Sequence, residues 1–201
     1  LALKTCMPAA AAGLDDWRLR NLPSAEILAL ADQARAGGRF EELRRHSVRG
    51  IGMRGAGLGK VLVPQSKHYS WAKAVDLLGI GQEHLISVPV RDNYRIDVAA
   101  LKKIIDGLAA QRIPILAVVA VVGTTEEGAV DEIHEIVRLR DRYEDQGVCF
   151  YLHIDAAYGG YARSLFLDAE GRFLDYNEIN RQHARQGVLH GDTDWLTLDV
   201  Y

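Results

Sequence analysis

Residues 148–160, Val-Cys-Phe-Tyr-Leu-His-Ile-Asp-Ala-Ala-Tyr-Gly-Gly, carry the densest chemical signal in this sequence. An apolar run from Val148 to Ile154 stops at a carboxylate, Asp155, and small residues follow at Ala156, Ala157, Gly159 and Gly160. Such a run predicts a buried parallel strand, and in open α/β sheets ligands bind beyond the carboxyl ends of the strands. A carboxylate on that rigid edge, flanked by residues that leave room, can hold a cationic ring nitrogen. A metal site built on His153 and Asp155, two apart on one strand face, lacks the further ligands it would need.

Two more groups join Asp155 once the elements are laid out. From Lys60 the rhythm is strand then helix. Val61–Val63 reads as a short strand, and Ser70–Leu78 as a helix closed by Gly79 and Gly81. Leu85–Val90 is a second strand and Val98–Leu108 an amphipathic helix. Ile115–Val122 is a central buried strand, running into the loop Gly123-Thr124-Thr125-Glu126-Glu127-Gly128. A helix is expected from about Asp131, with Ile133, Ile136, Val137 and Tyr143 on one face, before the Val148–Ile154 strand. This alternation implies an α/β fold with a mostly parallel sheet and helices on both faces. In that arrangement His68 follows one strand, Thr124 and Thr125 another, and Asp155 a third. Taken singly, each has a plain structural reading: a capping Asp, a surface His, two turn threonines. Their shared place at the C-terminal edge of one sheet favours a joint site.

The rest of the chain is less informative. Residues 14–46 read as helix and connection, with Pro23-Ser24 opening an amphipathic segment, a break at Arg35–Gly38 and a short charged helix from Phe40 to His46. Gly50–Gly59 is glycine-rich, but no apolar strand precedes it and no clear helix follows, so it reads as a loop rather than a dinucleotide fingerprint. After Tyr161 the pattern dissolves into polar, loop-rich sequence. The 201 residues are 48% hydrophobic and 25% charged, as in an ordinary globular protein. A net charge of -3 leaves no basic footprint for nucleic acid. The longest apolar stretch, Ile115–Val122, is far short of the roughly 20 residues needed to span a bilayer. Cys6 and Cys149 form neither metal nor disulfide spacing, which points to a reducing, cytoplasmic setting.

Three segments together resemble the group II pyridoxal-phosphate-dependent amino acid decarboxylases. They are Lys67-His68-Tyr69-Ser70-Trp71-Ala72-Lys73-Ala74, Val122-Gly123-Thr124-Thr125-Glu126-Glu127-Gly128-Ala129-Val130-Asp131, and His153-Ile154-Asp155-Ala156-Ala157-Tyr158-Gly159-Gly160. The likeness extends to Trp17–Pro23 and to Asp92-Asn93-Tyr94-Arg95-Ile96-Asp97. It implies a fold-type I large domain, pyridoxal 5'-phosphate as cofactor, a homodimer, and loss of carbon dioxide from an L-amino acid, with tyrosine or a related aromatic amino acid foremost. By motif match, His68 is the ring-stacking residue, Asp155 the partner of the pyridinium nitrogen, Ala157 the residue against the ring, and Thr125 a supporting hydroxyl. A protonated pyridinium is what makes this cofactor an electron sink, which accounts for the carboxylate.

One part of the family pattern is missing. The Asp-Pro-His-Lys stretch whose Lys binds the cofactor covalently does not occur in this sequence. Lys73 matches a helix position in the His-Tyr-Ser motif instead. The expectation is therefore an internal fragment, with the Lys beyond Tyr201 and the glycine-rich phosphate-binding segment before Leu1. Residues 1–59 are expected to lead into the large domain, residues 60–160 to form its cofactor-binding core, and residues 161–201 to be an insertion over it. The rival readings are another fold-type I pyridoxal enzyme (a glutamate-type decarboxylase, an aminotransferase or a desulfurase) and a non-catalytic binding domain.

Overall fold

A computed structural model describes residues 2–47 and 58–175. Most of the Gly50–Gly59 loop and the segment after Asp175 lie outside the described residues. Four parallel strands form one sheet in the order β2-β1-β3-β4: β1 is Lys60–Pro64, β2 Leu85–Val88, β3 Ile115–Val121 and β4 Tyr151–Asp155. Ahead of them, among the described residues, come four helices, α1 (Ala2–Cys6), α2 (Asp16–Arg20), α3 (Ser24–Ala36) and α4 (Phe40–His46). Helices α5 (Ser70–Leu77), α6 (Val98–Ala110) and α7 (Ile133–Asp145) connect the strands, and α8 (Gly159–Ala162) follows the last one.

The period-2 alternation of the strands divides the core in two. Leu62, Val118 and Ala120 face one side and pack with Leu101, Ile105 and Leu108 of α6 and Ile136, Leu139 and Tyr143 of α7. Val61, Val63 and Val119 face the other side, under Trp71 of α5. Because β4 pairs His153 with Val119 and Asp155 with Val121, both polar side chains lie on this second face. Helices thus cover both faces as expected, one far more thickly than the other.

Several boundaries differ from the sequence reading, among them those of β4, β2 and α7. The strand expected over Val148–Ile154 begins at Tyr151 and includes Asp155 as its last residue. Val148, Cys149 and Phe150 are buried, yet the Cys149 amide donates to Asn21 Oδ1 rather than to a neighbouring strand. Strand β4 is also half-open, with Tyr151 62% exposed, because among the described residues it has a neighbour on one side only. Strand β2 stops at Val88, since Pro89 has no N–H to donate, and Val90 bridges antiparallel to Ile96. Helix α7 starts at Ile133 with Glu132 at its N-cap, and Asp131, outside the helix, gives its side chain to the Ile96 and Val121 amides.

Asp131 is 3% exposed and accepts two backbone hydrogen bonds, from Ile96 N–H on Oδ1 and from Val121 N–H on Oδ2, each at 2.7 Å. Its own N–H donates to Val121 O at 2.9 Å. One carboxylate therefore joins the end of β3, the return of the following loop and the turn before α6. Burial pushes its pKa above the usual carboxylate range, and the two amides pull the other way.

Asp131→Ala leaves two buried amides without an acceptor, and is expected to cost about 2–4 kcal/mol of stability in urea unfolding. Asp131→Asn keeps one acceptor oxygen and loses less. A carboxyl whose pKa is higher in the folded than in the unfolded chain contributes stability that is complete below its ordinary value of 3.8 and fades as pH rises through the raised value. The stability difference between wild type and Asp131→Asn should accordingly be larger at pH 4 than at pH 7.

Candidate active site

Parallel strands bring their C-terminal ends to one edge, so the loops after β1, β3 and β4 meet there. With the strand ends they enclose a cavity of about 240 Å³ lined by His68 and Ser70 after β1, by Val121, Gly123, Thr124 and Thr125 at and after the end of β3, and by Asp155, Ala157 and Tyr158 at and after the end of β4. All four candidate residues, His68, Thr125, Asp155 and Ala157, contribute to this one cavity. Lys73 does not: its ammonium sits over the Tyr69 ring, 4.6 Å from the centroid.

The wall from β3 is a closed loop. Gly123 and Thr124 donate to Ala129 O, Gly128 donates to Thr124 O, and Ala129 N–H donates to Thr124 Oγ1 at 2.9 Å. The two threonines thus separate in role. Thr124 is buried and spends its hydroxyl on closing the loop, whereas Thr125 is exposed on the cavity. The wall from β4 presses against this loop, with Gly159 N–H donating to Val122 O at 3.0 Å. A Cβ on Gly159 would lie 2.4 Å from that same oxygen, so only glycine permits the approach. Gly123 adopts φ +88 on the opposite side of the contact.

His68 is held within its own loop. Its Nδ1 lies 2.9 Å from Ser70 Oγ and 3.3 Å from the Ser70 amide nitrogen. An amide N–H can only donate, so Nδ1 accepts, which assigns the proton of the neutral ring to Nε2. Its ring contacts Tyr69, with centroids 4.1 Å apart and planes inclined at 41°.

Asp155 ends β4 half-buried, and Oδ2 accepts a 2.9 Å hydrogen bond from the Trp71 indole N–H. Among the described residues no cation pairs with it. A carboxylate that lines a cavity with only a neutral donor on it suits a cationic ligand atom. The short side chain of Ala157 leaves room beside it. The donor set therefore fits a pyridinium ring.

Sequence reading gave no role to Ser70, Trp71 or Asp131, although its motifs contain all three. Nothing local sets the three apart from their motif neighbours, and Asp131 reads like a helix-capping Asp. Among the described residues one further convergence occurs: ligand atoms of Cys6, Glu42 and His46 lie within 4.8 Å of one another, on α1 and α4. Glu42 is also paired with Arg39 at 2.8 Å, and none of the three lines the cavity.

The parallel sheet with its site at the strand ends is the architecture of the fold-type I pyridoxal enzymes. Among solved structures, the glutamate decarboxylase domain of the Vibrio parahaemolyticus diaminobutyrate-pyruvate transaminase and L-2,4-diaminobutyrate decarboxylase shares this fold. Its TM-score is 0.53 at 23% identity, covering 74% of this chain and 30% of that one. The model of the pyridoxal-dependent decarboxylase conserved domain matches residues 45–175, and the chain belongs to that family. It is 47% identical over 200 residues to L-tyrosine decarboxylase of Levilactobacillus brevis, and 46% identical over 200 residues to that of Enterococcus faecalis. Each alignment covers 100% of this chain and 32% of the relative, so the chain spans about a third of the length of the curated relatives it matches. Among the described residues no helix is long and apolar enough to cross a membrane.

Gly159→Ala should force the two loops apart and cost about 1–3 kcal/mol in thermal or urea unfolding. Thr124→Val should cost about 1–2 kcal/mol by leaving the Ala129 amide unpaired, while Thr125→Val should change stability by less than about 0.5 kcal/mol. Equal losses for both threonine variants would contradict the division of roles between them.

Proposed function

We propose that the protein to which these residues belong is a carboxy-lyase that removes the α-carboxylate of L-tyrosine, giving tyramine and carbon dioxide, with pyridoxal 5'-phosphate as cofactor. The observation that carries this reading is that the similarity to proteins named L-tyrosine decarboxylase runs the whole length of the chain, with all four candidate residues on one cavity. Pyridoxal phosphate supplies an electron sink that accepts the electron pair left when the carboxylate departs.

The chain's own residues prepare that chemistry. Asp155, carried on a rigid strand end, would hold a proton on the ring nitrogen through a charge-assisted hydrogen bond. In the half-buried setting of β4 that bond is stronger than it would be in water. His68 would stack on the ring, its own orientation set by the two Ser70 contacts. Ala157, on the same cavity, would pack against the ring, where a larger side chain would displace it. Thr125, exposed on the cavity, would supply a hydroxyl to orient the ring substituents or His68. The loop of Gly123–Val130, closed by Thr124 and by Asp131, keeps Thr125 in place.

The wider assignment follows from the same reading. Residues 60–160 are assigned to the core of the cofactor-binding large domain, residues 1–59 to the segment leading into it, and residues 161–201 to an insertion whose part beyond Asp175 lies outside the described residues. The active enzyme is a cytoplasmic homodimer with its sites near the subunit interface. The two free, buried cysteines, Cys6 and Cys149, support a reducing compartment.

The test is an amine-release assay on the full-length protein with tyrosine, DOPA, phenylalanine and glutamate. Tyrosine should be turned over with the highest kcat/KM. Asp155→Ala should lower kcat/KM by roughly a hundredfold or more. Preference for glutamate, or no amine from any of the four, would overturn the assignment.

A further inference from the structure

We infer that Trp71 is a positioning residue for the cofactor: its indole N–H fixes the Asp155 carboxylate so that this anion can hold a protonated ring nitrogen. The inference rests on the reading of Asp155 given above and adds a residue to it.

Trp71 lies 84 positions from Asp155 in the chain, and its Nε1 donates to Oδ2 at 2.9 Å. It does not line the cavity, so it acts through the carboxylate rather than on the ligand. Its ring is held from two sides. It packs on Val61, Val63 and Val119 of the sheet, and it meets His153 edge-on, with centroids 5.6 Å apart and planes inclined at 69°. His153 is in turn 6.3 Å from the Tyr151 ring. Alternate residues of β4, Tyr151, His153 and Asp155, therefore present one face, and Trp71 bears on its last two members. A bulky side chain fixed in this way makes its donor a fixed point.

The chemical type of the donor matters. An Arg or Lys on Asp155 would neutralise it and repel a pyridinium. A neutral indole N–H stabilises the anion without adding charge, and it has no lone pair with which to compete for the proton. It also engages one oxygen only. Among the described residues it is the one side-chain donor on this carboxylate, so the charge that faces the cavity stays uncompensated. Without the indole the anion is less stabilised and competes better for the ring proton, and the carboxylate is free to turn.

The test compares three forms of the full-length enzyme reconstituted from its apoprotein with pyridoxal 5'-phosphate labelled with 15N in the ring. They are wild type, Asp155→Asn, and Trp71 replaced by benzothienylalanine, which keeps the bicyclic shape and removes only the N–H. Trp71→Phe serves as a second variant should incorporation be poor. The readouts are the cofactor dissociation constant and the 15N resonance of the ring nitrogen. The expected result for the Trp71 forms is about tenfold weaker cofactor binding, with the ring-nitrogen resonance moved toward the unprotonated position. Asp155→Asn should show a larger change in both. Wild-type behaviour of the benzothienyl form beside an impaired Asp155→Asn overturns the role of Trp71 and leaves Asp155 in place. Wild-type behaviour of Asp155→Asn overturns the reading of Asp155 and this inference with it.

Discussion

The buried carboxylate of Asp131 is the constraint on which the cavity depends. Its two oxygens accept from Ile96 and Val121, and its amide returns a bond to Val121 O. Burying a carboxylate is costly unless its lone pairs are met, and here backbone amides meet them from two different segments. Because an amide is part of the chain, the bonds fix the backbone itself rather than a side chain. The loop between Val121 and Asp131 then has both ends tied, and its interior is closed by Thr124. Every contact that Gly159 makes with Val122 presupposes that fixed loop, and so does the placing of Thr125.

A recurring division of labour follows along the sheet edge. Thr124 closes a loop while Thr125 faces the cavity. Asp131 holds backbone while Asp155 faces the cavity. Trp71 holds Asp155, and Ser70 holds His68. In each pair one member is spent on architecture so that the other is presented in a single orientation. Preorganisation of this kind is what a flat, charged cofactor requires, since a carboxylate that must reorganise on binding loses much of its electrostatic advantage.

Much of this was legible in the residues alone. The strands at 61–63 and 115–122 and the helices at 70–78 and 98–108 are marked by apolar period and by glycine stops, and the structure moves their ends by one or two residues. The convergence of His68, Thr125, Asp155 and Ala157 follows from parallel topology, because strand ends must share an edge. Strand β4 was harder to read. The apolar run at Val148–Ile154 mixes two causes of burial: Val148 and Phe150 pack into the core before the strand starts, and Leu152 and Ile154 pack from within it. Periodicity cannot separate these, and it cannot show that the Cys149 amide turns to Asn21, 128 positions away.

The sequence by itself determined which residues could do chemistry and on which edge they gather, because residue type and strand period are local properties. Only the tertiary structure decided which of two adjacent threonines closes a loop, which of two aspartates is buried, and that an indole 84 positions away holds the other. Those choices depend on hydrogen bonds between distant segments. Such bonds leave no local trace, since a partner's donor is set by the fold and not by the spacing of residues along the chain.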